Sequence, residues 1–116
     1  MTLGQKQSNF TLDLANFIIF ANKQGFDVRL REVGRTDYQH AENIRLGLTK
    51  AKRSLHQDNL AFDAYFVKGG ITYGLKREDK AVLQPLGNYW EKLRPGNKWG
   101  GNFTSFLDLP HFEHNA

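Results

Sequence analysis

The sequence predicts one small α+β domain that extends over residues 1–116. Three observations support this class: apolar residues at helical spacing near the N-terminus, apolar and alternating runs typical of strands, and a length at which one core is usual. The 116 residues are 40% hydrophobic and 24% charged, which excludes a wholly disordered chain. No repeat, linker or low-complexity tract divides them.

The first element is predicted to be an amphipathic helix, because apolar residues recur at helical spacing between Phe10 and Ala21. Ser8 is expected to cap its start, and Gly25 lies where a left-handed residue commonly ends a helix. Residues 26–31 then alternate between apolar and charged side chains, which indicates a half-buried strand.

A second helix is expected to begin at Thr36 or Asp37 and to run towards Gly47. The polar and basic residues 49–59 are predicted to form a loop. Residues 60–67 are rich in aromatic and aliphatic side chains and are followed by two glycines, which indicates a strand that ends there.

The C-terminal third is predicted to contain one helix and one extended segment. Residues 77–93 are predicted to form a polar helix, with Pro85 either near its start or breaking it. The glycine-rich residues 94–102 are interpreted as a loop. Pro110 argues against a helix in the last segment and favours an extended edge strand or a turn.

Composition and charge limit the function classes. There are 16 Lys and Arg residues against 12 Asp and Glu residues, and the net charge of +4 favours an acidic partner. The absence of cysteine excludes disulfides and thiolate metal sites. The longest apolar run, residues 17–21, is too short to span a membrane, and no secretory signal is recognisable. We therefore expect a chain made in the cytoplasm without stable membrane association.

Two histidines lie near residues that together suggest a metal site. His56 occupies a polar stretch upstream of Asp63, and a carboxylate within an apolar strand is costly unless it is paired, hydrogen-bonded or bound to a metal. If His111 lies beside them, the three side chains form a ligand set that leaves a fourth position for water, as in catalytic zinc sites. A structural histidine–carboxylate pair, or an ion pair of Asp63 with an arginine, explains the same pattern, and spacing alone does not decide.

Three motifs carry a family resemblance. They are ExxRT at residues 32–36, SxHxxxxAxD at residues 54–63 and WGGNFxxxxDxPHFE at residues 99–113. Together they resemble zinc peptidases of the D-Ala-D-Ala carboxypeptidase and L-alanyl-D-glutamate endopeptidase superfamily, whose fold is shared with hedgehog signalling domains. The greatest similarity is to phage endolysins and bacterial peptidases that cut the L-Ala–D-Glu bond of peptidoglycan stem peptides.

The resemblance implies a hedgehog/DD-peptidase-like fold, with an antiparallel sheet and flanking helices, and a zinc peptidase domain over residues 1–116. It implies Zn²⁺ ligands at His56, Asp63 and His111 and a catalytic carboxylate at Asp108. Arg35 matches the arginine expected to face the substrate carbonyl, with a plain salt bridge at the helix start as the alternative.

Further residues are assigned from their place in the motifs. Ser54 and Trp99 are assigned to substrate binding, although a core position is the alternative for Trp99. Ser54 and Glu113 are also candidates to hold the imidazole nitrogens that do not bind metal. Asn59 replaces the usual family glycine, and asparagine is the non-glycine residue best able to adopt positive φ.

The remaining two histidines are not expected to bind metal. His40 is predicted to be a surface or partly buried residue of the second helix, and His114 an exposed tail residue.

Several alternative functions remain open. Two alternatives would use the same metal ligands. One is a DD- or LD-carboxypeptidase of the same fold, and the other is a catalytically inactive zinc-binding cell-wall module. The pI near 9.5 and the basic run at residues 50–53 suggest a nucleic-acid binder, but the run is short and directly precedes the first metal motif. We expect bacterial peptidoglycan as partner, no nucleic acid and a monomer that acts on the wall after release.

Overall fold

The predicted α+β class, with an antiparallel sheet and flanking helices, is confirmed by a computed structural model that describes all 116 residues. The helices are α1 (Leu3–Lys23), α2 (Asp37–Arg45) and α3 (Lys80–Leu93). The strands are β1 (Asp27–Leu30), β2 (Ala61–Lys68), β3 (Ile71–Tyr73), β4 (Asn97–Trp99) and β5 (His111–His114). Three short 3₁₀ helices cover Leu55–Asp58, Arg77–Asp79 and Gly100–Asn102.

The strands follow the order β1-β2-β5-β4, every pair is antiparallel, and β3 pairs with the end of β2. The register places Asp63 of β2 opposite His111 of β5. Because side chains alternate across a strand, these two residues share one face of the sheet while Phe62 and Phe112 share the other.

The core lies on the Phe62 face, where α1 and α3 cover the sheet. The Phe62 and Phe112 rings stack with their centroids 4.8 Å apart. Phe17 of α1 and Trp90 of α3 pack against Phe62, and all four side chains are fully buried. The opposite face carries the polar side chains, so burial of the aromatic cluster fixes which way the polar residues point.

Helix α1 is longer than the sequence pattern indicated. It begins at Leu3, and Thr2 caps it through a reciprocal capping box with Gln5, so the expected cap at Ser8 was wrong. The first two turns are largely exposed, and apolar periodicity does not reveal turns that bury little. Gly25 has φ +90° just beyond the helix, as predicted.

The C-terminal third contains more extended structure than expected. Residues 94–102 were interpreted as a loop, but Asn97–Trp99 forms β4 and pairs with β5. β5 is consequently an interior strand rather than an edge strand. Pro110 is compatible with this position because it directly precedes the strand, where its carbonyl accepts a hydrogen bond from the Ala64 amide at 2.9 Å. Pro85 lies inside α3 without breaking it.

None of the helices combines the length and the apolar composition that crossing a membrane requires.

Candidate metal centre

The three predicted ligands come together on the polar face of the sheet. Asp63 and His111 are paired across β2 and β5, and the 3₁₀ helix Leu55–Asp58 brings His56 to the same place. Ser54 caps this 3₁₀ helix, since its hydroxyl accepts a hydrogen bond from the His56 amide at 3.1 Å. Asn59 ends it with φ 55°, the left-handed conformation expected of the residue that replaces the family glycine.

One nitrogen of each imidazole ring faces the same carboxylate oxygen. The Oδ1 atom of Asp63 lies 3.5 Å from Nε2 of His56 and 3.3 Å from Nδ1 of His111. All three candidate ligand atoms lie within 4.8 Å of one another. Tetrahedral zinc with bonds of about 2.0–2.1 Å separates its ligand atoms by roughly 3.3–3.4 Å, so the two distances to Asp63 match this ion.

The opposite nitrogens of both rings are engaged by acceptors. Nδ1 of His56 donates to the carbonyl oxygen of Val33 at 3.1 Å, which leaves the Nε2 lone pair directed at Asp63. Nε2 of His111 donates to Glu113 at 2.7 Å, which directs Nδ1 at Asp63. Such outer hydrogen bonds fix the orientation of metal-binding histidines.

The charges of the cluster shift the pKa values of two of its members. Burial alone raises the pKa of Asp63, but hydrogen bonds from His111 and His56 outweigh it and hold that pKa at about 2. Burial alone lowers the pKa of His111, but hydrogen bonds and charges from Asp63 and Glu113 raise it to about 9. Both shifts follow from the contacts that converge on the Asp63 carboxylate and the His111 ring.

Asp108 lies in the same cavity as the three candidate ligands. Burial, together with the negative charge of Asp63, raises its pKa against the opposing effect of His111. The backbone around Asp108 packs closely against Gly100, where an added Cβ would overlap the Asp108 carbonyl. A glycine at position 100 is therefore needed to keep this carboxylate beside the histidines.

Arg35 also lines the cavity and is held on two sides. Its guanidinium forms an ion pair with Glu32, and Nη1 donates to Nδ1 of His40 at 3.0 Å. The Arg35 amide donates to the carbonyl of His56 at 3.0 Å, which connects the arginine to the ligand-bearing turn. The salt bridge named as the alternative is thus present, and its arginine lines the cavity.

The cavity that these side chains enclose has a volume of about 570 Å³. Its outer wall contains Leu48, Phe103 and Phe106, of which Leu48 and Phe106 are exposed. A peptide can enter this open cleft, and it then meets the carboxylates, the histidines and Arg35 together.

Comparison with known proteins agrees with the geometry. Residues 48–114 match a protein-family profile described as D-alanyl-D-alanine carboxypeptidase, which is more than half of the chain. The chain belongs to this peptidase family. The matched range includes His56, Asp63, Asp108 and His111, whereas Arg35 lies upstream of it. The predicted family resemblance is therefore confirmed.

Two relatives add detail. The chain is 31% identical over 98 residues to the L-alanyl-D-glutamate peptidase of Listeria phage A118, an alignment that covers 83% of this chain and 33% of that protein. It thus spans about a third of the length of this curated relative. The crystal structure of the Serratia marcescens L-Ala D-Glu endopeptidase ChiX has the same fold, with a TM-score of 0.71, 20% identity and coverage of 98% of this chain and 89% of that chain.

Within this peptidase fold, Trp99 does not occupy the position expected for substrate binding. Its side chain is fully buried, and its indole N–H donates to the carbonyl of Leu109 at 2.8 Å. Trp99 therefore supports the turn that carries Asp108 instead of contacting the cleft. Phe103, four positions further along the chain, does line the cavity. Ser54 lines it as well.

The two remaining histidines are more buried than expected. His114 is 7% exposed, and its Nδ1 lies 2.8 Å from Oδ1 of Asn97, so the prediction of an exposed tail residue was wrong. His40 is 2% exposed and contacts Arg35 instead of facing solvent. One sequence signal could have related His40 to Arg35. His40 lies in the first turns of the helix that Thr36 caps, and Thr36 directly follows Arg35. The Val33 carbonyl leaves no signal, because every residue has one.

Proposed function

We propose that the chain is a zinc-dependent peptidoglycan peptidase that hydrolyses the L-Ala–D-Glu bond of the stem peptide. The observation that carries the proposal is the convergence of His56 and His111 on the Asp63 carboxylate, in a cleft that also contains Asp108. The specific bond comes from the names of the two relatives, both of which act between L-Ala and D-Glu.

His56, Asp63 and His111 would hold the metal through Nε2, a carboxylate oxygen and Nδ1. Two imidazoles and one carboxylate are a common protein ligand set of catalytic zinc, and they leave a further position open. When bound there, zinc supplies a Lewis acid that polarises the scissile carbonyl and lowers the pKa of water towards ~7.

Asp108 would act as the general base and then as the general acid. Its carboxylate takes a proton from the attacking water and delivers this proton to the leaving amine when the C–N bond breaks. A general base works best when its pKa approaches the operating pH, and burial shifts the pKa of Asp108 in that direction.

Arg35 and Ser54 would contact the substrate. Negative charge develops on the carbonyl oxygen during attack, and a preorganised guanidinium stabilises it without reorienting. The Ser54 hydroxyl accepts from the His56 amide, so its own proton remains available to a substrate carbonyl.

Hydrolysis at the end of the stem peptide is the second candidate activity. The description of the matched family favours it, because a D-alanyl-D-alanine carboxypeptidase removes a terminal residue. The two activities share the same ligands and base and differ in the bond presented to them. A zinc-binding wall module without catalysis is the third possibility, and the presence of Asp108 beside the ligands argues against it.

One experiment separates these activities. Purified protein is analysed for zinc, and intact peptidoglycan digested with it is examined by mass spectrometry. The proposal expects one zinc per chain and fragments with a new amino terminus on glutamate. Release of single D-alanine residues would instead assign the carboxypeptidase activity. Zinc without any released fragment, from any type of wall, would assign the binding module. We expect the protein to act as a monomer on the cell wall.

A further inference from the structure

His40 makes two hydrogen bonds and has no part in the metal centre. Its side chain is 2% exposed, its Nδ1 lies 3.0 Å from Nη1 of Arg35, and its Nε2 lies 2.9 Å from the carbonyl oxygen of Ala51. The candidate metal cluster does not include this ring. A buried imidazole with both nitrogens engaged has a definite structural role.

The two partners fix the tautomer of the ring. A guanidinium only donates hydrogen bonds, so Nδ1 of His40 must accept from Arg35. A carbonyl oxygen only accepts, so Nε2 must carry the proton that is donated to Ala51. His40 therefore accepts from Arg35 and donates to Ala51, and it links the arginine to the chain on the other side of the ring.

Arg35 has its position set by two neighbours. Glu32 accepts from Nε and Nη2, and His40 accepts from Nη1. A guanidinium has five N–H groups, so these contacts leave two of them for a substrate oxygen. Without His40 the guanidinium keeps its ion pair but loses the contact that stops it from turning about that pair.

The hydrogen bond from His40 to Ala51 holds the wall of the cleft in place. Residues 46–53 connect α2 to the ligand-bearing turn without regular secondary structure. Leu48, Thr49, Ala51 and Arg53 of this connection all line the cavity. The His40 ring lies between this wall and Arg35, so it sets the position of both.

We propose that His40 is a positioning residue, which holds the Arg35 guanidinium and the 46–53 connection in the arrangement that substrate meets. Its catalytic consequence rests on the function proposed above. Loss of a positioning contact typically affects the turnover step more than metal binding, because the ligands stay in place.

The kinetic test compares His40→Ala with His40→Gln, whose side-chain amide retains one acceptor and one donor. On a peptide containing the L-Ala–D-Glu bond, we expect His40→Ala to lower kcat roughly 10- to 100-fold with unchanged zinc content. His40→Gln should recover most of that loss. Tyr38→Ala, an exposed position of the same helix, serves as the matched control and should leave kcat unchanged.

A double-variant cycle separates positioning from a general effect on folding. If His40 acts through Arg35, adding His40→Ala to Arg35→Ala should lower kcat little further. Losses that multiply in the double variant would overturn the positioning of Arg35 by His40, and a His40→Ala enzyme with the parental kcat would overturn the proposal as a whole.

A second measurement needs no activity. In the zinc-free protein, long-range ¹H–¹⁵N spectra should identify His40 as the Nε2-protonated tautomer, and the Arg35 guanidinium protons should be protected from exchange. His40→Ala should remove the protection at Nη1 and leave that of the protons paired with Glu32, while unchanged Arg35 signals would refute the contact. If the parent cleaves no peptidoglycan, the proposed function fails, and these spectra still decide the role of His40.

Discussion

Glu113 holds the His111 ring from the side opposite Asp63. Its carboxylate oxygen lies 2.7 Å from Nε2 of His111, while Nδ1 of that ring lies 3.3 Å from Asp63. Glu113 and His111 are separated by one position on β5, so they share the polar face of the sheet. Residues that alternate along one strand therefore supply both the candidate ligand and the group that orients it.

Replacement of Glu113 by glutamine should weaken zinc binding without removing a ligand. A neutral amide oxygen holds the His111 ring less strongly than a carboxylate does, and outer-contact substitutions typically cost 10- to 100-fold in metal affinity. Competition titration with a chelator measures the change. Glu42→Gln, at a half-buried carboxylate paired only with Arg45, is the matched control. Equal affinities for the Glu113 variant and the parent would contradict the role of Glu113.

Replacement of His111 by alanine should reduce zinc affinity further, by about a hundredfold or more, because only two ligands remain. His40→Ala is the comparison variant and should keep full zinc, since both nitrogens of His40 are engaged elsewhere. Zinc content per folded chain, with folding checked by circular dichroism, gives the answer. Stoichiometric zinc in the His111 variant would exclude this residue as a ligand.

Replacement of Asp108 by alanine should keep zinc and fold but abolish most hydrolysis. Loss of a general base removes about 10² to 10⁴ in rate. The assay is the release of new amino termini from purified peptidoglycan, with zinc measured on the same samples. Asp27→Ala removes an exposed carboxylate at the start of β1 and should cleave at the parental rate. Parental rates for the Asp108 variant would show that another group takes the proton.

Much of the site was predictable from the sequence because its residues lie in three ordered motifs. The strand pattern of residues 60–67 placed Asp63 on the face opposite Phe62, and the structure has this arrangement. The extended segment after Pro110 was also predicted. The family resemblance is what connected the two segments, because spacing alone favoured a simple histidine–carboxylate pair over a metal site.

The errors share a physical cause: local composition does not report tertiary pairing. Residues 94–102 have turn composition, yet β5 pairs with Asn97–Trp99, which therefore form β4. His114 lies near the end of the chain, but Asn97 of the neighbouring strand lies beside it and it becomes buried. His40 was predicted to be no more than partly buried on α2, because its two partners, Arg35 and Ala51, lie outside that helix.

Lowering the pH should destabilise the folded protein through protonation of His114. The Asn97 amide nitrogen donates to Asp13 and to the Trp90 carbonyl, so its oxygen remains to accept from Nδ1 of His114. Burial and the charge of Arg94 lower the pKa of His114 below its ordinary 6.5. The unfolded chain therefore binds this proton more readily, and stability falls as the pH drops through 6.5.

His114→Gln isolates that contribution, because glutamine donates to Asn97 but does not titrate. We expect the free energy of unfolding of the parent, relative to this variant, to decrease between pH 7 and pH 5. The slope should not exceed about 1.4 kcal/mol per pH unit. Urea unfolding of both proteins in the presence of a chelator measures this difference in free energy at each pH. A difference that is constant across this range would exclude His114 as the titrating group.

Alanine at Gly87 should destabilise the protein although it favours the helix. Gly87 lies in α3, where alanine is usually better than glycine by about 1 kcal/mol. Its Cα faces the buried Trp99 indole, and an added Cβ would lie under 3.0 Å from three ring carbons. The ring cannot move freely, because its N–H donates to Leu109 and the Trp99 amide donates to Glu91. Overpacking of this kind costs about 1–3 kcal/mol.

Gly4→Ala provides the matched control for Gly87→Ala. Gly4 also lies in a helix, α1, but the nearest atom to an added Cβ is 4.0 Å away. The control should leave stability unchanged or raise it by up to about 1 kcal/mol, whereas Gly87→Ala should lower it. Urea unfolding of both variants measures the two effects, which are expected to have opposite signs. If Gly87→Ala proves as stable as Gly4→Ala, the Trp99 ring is not held where its hydrogen bonds indicate.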